Sequence, residues 1–98
     1  MEVRYKNKEI EEVCTNSKIA RIKYGLPIAG KIKLRISELI KAKSVDNLIQ
    51  NHVGRCHRLI GDRAGQYAID LAQPYRLIFI QKGNEIQFVE IQEITDYH

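Results

Sequence analysis

A chain of 98 residues, 44% of them hydrophobic, supports one folded domain over residues 1–98 and is too short for two cores. No apolar run approaches the ~18 residues of a membrane span, and charge from Glu2 onward does not read as a secretory leader. Cys14 and Cys56 fit no zinc spacing and read as reduced thiols of a cytoplasmic protein.

In chain order, "EVRY" reads as a short first strand and "NKEIEEVCTN", with Ile10, Val13 and Cys14 at helical spacing, as a short helix. "NSKIARIKYG" is ambiguous between a frayed turn and a helical extension. Gly25 and Pro27 then punctuate the chain. From Pro27 to Lys43, Ile28, Ile32, Ile36, Leu39 and Ile40 recur at steps of three and four. This predicts a helix with one apolar stripe, and with the lysines and Arg35 mostly off it. "SVDNLIQNHVG" is a connection with one helical turn. The period then changes to that of strands: "RCHRLI", "GQYAIDLA", "YRLIFIQ" and "EIQFVEIQ" are separated by "GDRAG", "QP" and "KGN". Short turns between successive strands predict an antiparallel meander. The fold class expected is α+β, with two N-terminal helices packed on a curved antiparallel sheet of three to five strands.

Charge is unevenly distributed behind the net +4. Between Lys18 and Lys43 eight basic residues face one acid, Glu38, whereas from Lys82 onward one base faces four acids. A basic block of this kind suits a polyanion, with nucleic acid the first candidate, and suits equally a solvated helix face.

Chemistry is sparse. No Gly-rich phosphate loop, nucleophile motif or metal-ligand cluster is present, so neither a cofactor nor a metal is expected. Strand alternation sets Arg55, His57 and Leu59 on one face and Cys56, Arg58 and Ile60 on the other. Arg76 leads into the apolar run "LIFI" and needs a polar partner, either an acid such as Asp62 or Asp70 or a bound phosphate. His57, His98, Arg76 and Tyr97 together would suit RNA cleavage without metal. There the substrate's own 2′-hydroxyl is the nucleophile, and the protein takes one proton, gives another and neutralises the phosphate. Histidine titrates near working pH, and the arginine fork grips two phosphate oxygens.

The run "CHRLIGDRAGQYAIDLAQPYRLIF" and the closing "DYH" resemble the HigB branch of the RelE/ParE toxin superfamily. That branch reads His-x-Leu-x-Gly-Asp, a further Gly, a strand, a Trp-Arg or Tyr-Arg pair and a final Asp-Tyr-His. The resemblance covers roughly residues 55 to 98. It implies a RelE-like fold and a type II toxin that cleaves messenger RNA in the ribosomal A site. The implied partners are ribosome, mRNA and a HigA-type helix-turn-helix antitoxin, with operator DNA reached only through that antitoxin. Carried over by position, it makes His57, Arg76, Asp96, Tyr97 and His98 catalytic. The chain departs from the pattern at Ile60, where many relatives have lysine. Arg58 and Arg63 flank that gap, and alternation makes Arg63 the easier substitute. With them, Lys31, Lys33 and Arg35 are the residues expected to meet RNA or ribosome. The alternative reading is a ParE-like gyrase inhibitor that acts by binding and has no use for a terminal histidine.

Overall fold

A computed structural model of the chain describes residues 1–96. Strand β1 (Glu2–Tyr5) opens the chain and is followed by α1 (Lys8–Thr15), α2 (Ser17–Tyr24), α3 (Leu26–Lys41) and α4 (Val45–Gln50). Four strands come next: β2 (His57–Arg58), β3 (Gln66–Asp70), β4 (Tyr75–Lys82) and β5 (Phe88–Asp96). This is the α+β class expected.

Caps explain the helical segmentation. Asn7 accepts from the Ile10 amide at the start of α1, and Asn16 both ends α1 and accepts from Lys18 and Ile19 at the start of α2. The ambiguous "NSKIARIKYG" is therefore a full helix, made by one asparagine that its weak apolar pattern did not advertise. Pro27 lies in the first turn of α3, where its missing N–H costs nothing, and Ser44 caps α4.

The sheet order is β1-β5-β4-β3-β2. The last four strands form the antiparallel meander, and β1 adds to it by pairing parallel with β5. Strand β2 is shorter than "RCHRLI" suggests. A 3-10 turn over Val53–Arg55 with a left-handed Arg55 precedes it, and Gly61 turns away after Leu59 has bonded to Gln66.

One sheet face carries the helices. Leu77 and Phe79 of β4, Ile69 of β3 and Val89 and Ile91 of β5 pack there against Ile32, Ile36 and Leu39 of α3. The alternate residues of β4, Arg76 and Ile78, point to the other face and are nevertheless buried. Register pairs Ile78 with Glu93 but Phe79 with Ile91, so Gln92 is an inserted residue in β5. Such a bulge resets side-chain alternation. It keeps Ile94 on the helix side and turns Glu93 and Thr95 toward the open face, beside Ile78 and Arg76.

Phe79 has no exposed surface and stacks on Tyr67 at 5.4 Å between ring centroids. Phe79→Ala is expected to destabilise the domain by about 3–5 kcal/mol, read from the urea midpoint. A change below ~1 kcal/mol would mean that the site collapses around the hole.

Candidate active site

The open face of the sheet holds a cleft of about 380 Å³ lined by Leu59, Ile60, Arg63, Arg76, Ile78, Thr95 and Asp96. Its floor is strand β4 and one wall is the end of β5, where Arg76 lies opposite Thr95 and Tyr75 opposite Asp96. The other wall is the segment after β2, including a short turn over Gly61–Arg63. Gly61 and Gly65 bracket this turn with φ of +68° and +93°, a backbone that glycine adopts without strain.

His57 enters the same face from β2, paired with Ala68 and, through it, aligned with Ile78. Its ring is fixed at both nitrogens. Nδ1 lies 2.6 Å from the Arg55 carbonyl oxygen, and Nε2 lies 3.5 Å from Nη1 of Arg76. A carbonyl oxygen only accepts, so Nδ1 carries the hydrogen. A guanidinium only donates, so Nε2 presents its lone pair to Arg76. Both contacts select the same neutral tautomer, with its basic nitrogen beside a fixed cation.

Arg76 itself is 5% exposed, with its guanidinium at the cleft. Asp70, its cross-strand neighbour, gives its carboxylate to Arg55 at 2.5 Å. Arg63 projects into the cleft and is anchored to Gln66 and Glu93 at 3.0 and 2.9 Å. Ile60, in the position where a lysine was the pattern, is 89% exposed on the rim. Arg58 points the other way, pairing with Asp46 of α4 at 2.9 Å and lying over the Tyr67 ring. Of the two basic residues flanking Ile60, Arg63 shares the cleft with Arg76 and Arg58 does not.

The structure thus brings together His57, Arg76, Arg63 and Asp96. Tyr97 and His98 lie outside the described residues. Lys33 is exposed and Lys31 half-buried on α3, and neither lines the cleft. Arg35 corrects the sequence reading. Its side chain is 12% exposed and turns inward, bonding Glu38 and the Asp70 carbonyl at 2.7 Å each, so it belongs to the interior and not to a basic surface. Thr95, Leu59 and Ile78 line the cleft without having been singled out; Thr95 arrives there through the bulge at Gln92, which leaves no signature in the sequence.

The thiols take no part. Burial pushes Cys14 up to about 12 and Cys56 to about 11, so neither supplies a thiolate at neutral pH. Among the described residues no group of acids, histidines and cysteines is arranged to hold a metal, and no helix is long and apolar enough to cross a membrane.

Comparison with solved structures places this geometry in a known frame. The chain superimposes on a YoeB/ParE toxin from Agrobacterium tumefaciens over the whole of both chains, with a TM-score of 0.61 at 16% identity. It matches a point mutant of YafQ from E. coli with a TM-score of 0.65 at 17% identity, over 97% of this chain and 91% of that one. The fold is that of YoeB and YafQ. A YoeB–YefM complex from Staphylococcus aureus agrees, with a TM-score of 0.64 at 13% identity over 100% of this chain and 97% of that one. No protein-family model matches the sequence, and no curated protein does.

Proposed function

We propose that this chain is a toxin of the RelE/ParE superfamily, in its HigB branch, that cleaves messenger RNA on the ribosome. The observation that carries the reading is the pair His57 and Arg76: a basic nitrogen and a buried guanidinium 3.5 Å apart, on the sheet face to which β5 brings Asp96. In this reading His57 Nε2 takes the proton of the substrate 2′-hydroxyl, and that oxygen attacks the adjacent phosphorus. Arg76 neutralises the charge growing on the non-bridging oxygens, with Arg63 as a second cation at the cleft wall. The departing 5′-oxygen needs a proton, for which His98 is the candidate donor, with Tyr97 and Asp96 beside it in sequence. The products are a 2′,3′-cyclic phosphate and a 5′-hydroxyl, so no co-reactant and no metal is required.

Fold alone does not separate cleavage from ParE-like inhibition of gyrase; the tautomer of His57 favours cleavage, because a binding-only toxin has no need of an oriented base. A HigA-type helix-turn-helix partner would neutralise the toxin, and the YoeB–YefM complex supports a partner-bound state for this fold. Expressing the chain alone and mapping transcript ends tests the proposal, with new ends expected inside translated frames. Unaltered transcripts accompanied by relaxed or tangled DNA would favour gyrase.

Lys31 and Lys33 remain candidates for ribosomal RNA contact. Replacing both with Gln is expected to weaken ribosome binding and lower its salt slope by about one per lysine. An unchanged slope would make the outer face of α3 a solvated surface.

A further inference from the structure

A chain of contacts runs from Asp70 to His57 and on to Arg76. The Asp70 carboxylate receives Arg55 Nε at 2.5 Å, and its carbonyl receives Arg35 Nε at 2.7 Å. Arg35 is held in turn by Glu38 at 2.7 Å. Arg55 supplies the carbonyl that fixes His57 Nδ1, and His57 Nε2 reaches Arg76, the cross-strand neighbour of Asp70. The contacts of Asp70 with Arg55 and Arg35, and of His57 with Arg55 and Arg76, are direction-specific, whereas Arg76 and Asp70 are related by strand register.

Arg55 is in the left-handed region, with φ +51°, although it is not a glycine. That conformation is costly for a side chain of this size and persists where the surroundings over-determine it, commonly at working sites. Here the surroundings are visible. Cys56 is buried on one side of Arg55, and Gly54 on the other sits so close to its neighbours that an added Cβ would lie 2.8 Å from the Arg35 guanidinium and 2.7 Å from Ile69. Arg35 thus braces the loop from beneath while Asp70 grips Arg55 from the strand. A relaxed Arg55 would swing its carbonyl off the imidazole, and His57 would lose the bond that chooses its tautomer.

We propose that Asp70 and Arg55, braced by Arg35, are positioning residues: the Asp70–Arg55 ion pair holds Arg55 left-handed, so that its carbonyl fixes His57 with a bare Nε2 facing Arg76. The placement of the ring stands on geometry alone; its effect on rate rests on the reading of His57 as the base.

Two measurements on the full chain test this. The first is 15N NMR of the His57 ring, well above the histidine titration range, which reports which nitrogen carries the hydrogen. The wild type is expected to show Nδ1–H. Asp70→Asn and Arg55→Ala are expected to shift the ring toward Nε2–H. Arg55→Gly is expected to keep Nδ1–H, since glycine takes the left-handed backbone without the ion pair. The second is single-turnover RNA cleavage. Asp70→Asn and Arg55→Ala should lower the maximal rate by about 10–100-fold, typical of removing a group that orients a working side chain, with half-saturation little moved. Arg55→Gly should retain most of the rate. A plain loss of charge would instead make Arg55→Gly and Arg55→Ala equally poor, and that result overturns the proposal. An Asp70→Asn ring that stays Nδ1–H overturns it too, as does a wild-type ring that is not Nδ1–H. A wild type that leaves RNA intact would sink the functional reading while the NMR measurement still decides the clamp. Should Asp70→Asn fail to fold, the Arg55 pair decides alone.

Discussion

His57→Gln is expected to lower single-turnover mRNA cleavage by about 10²–10⁴-fold, the usual worth of one general acid–base group, while melting temperature and ribosome affinity stay near wild type. Glutamine preserves a donor and an acceptor but cannot carry a proton away from the 2′-hydroxyl. The ring is half-buried, and among the described residues its polar contacts are the Arg55 carbonyl and Arg76, so the fold should tolerate the exchange. Loss of His98 is expected to cost a similar factor by removing the proton needed at the leaving oxygen. Groups that act as a unit are non-additive in rate. The double variant should therefore be little slower than either single one. Multiplying losses would mean that the two histidines serve separate steps, and an active His57→Gln protein would return the imidazole to an ordinary surface role.

Arg76→Ala is expected to cost about 10²–10³-fold in rate, the range found when one donor to a developing anion is removed. Because Arg76 is 5% exposed and lies against His57, the alanine variant also loses packing, and its rate must be read where circular dichroism shows it folded. Arg76→Lys separates the effects: charge is retained, the two-pronged grip is not, and only part of the rate should return. Cleavage that survives Arg76→Ala, together with a fall in melting temperature, would make Arg76 a structural cation. The distinction is physical. A structural cation pays its desolvation against a fixed partner, whereas a catalytic one is aimed at charge that appears only as the reaction proceeds.

Much of this frame was legible because period and turn chemistry act locally. The stripe of Ile28, Ile32, Ile36 and Leu39 could only be an amphipathic helix, and "LIFI" bounded by turn residues could only be a covered strand. Local alternation also placed His57 on one face and Arg58 on the other, as the ion pair of Arg58 with Asp46 bears out. What escaped depends on contacts distant in sequence. The inward turn of Arg35 is dictated by the Asp70 carbonyl, 35 positions away, so a helical wheel assigned it to solvent. The bulge at Gln92 is set by how β5 meets β4, and that register explains why Thr95 joins the cleft and Glu93 reaches Arg63. The parallel pairing of β1 with β5 joins the two ends of the described fold, which no local pattern encodes. Arg55 is the sharpest case: its left-handed backbone has no glycine to announce it.

The cleft beside His57 and Arg76 is proposed to cleave RNA through the substrate's own 2′-hydroxyl. The chemistry of the ends left on a messenger RNA after incubation with the purified protein and programmed ribosomes tests it most directly. A 2′,3′-cyclic phosphate on the upstream fragment and a 5′-hydroxyl on the downstream one, both abolished by His57→Gln, are the predicted result. Fragments ending in a 3′-hydroxyl, or intact message under conditions where the same protein blocks DNA supercoiling by gyrase, would contradict it.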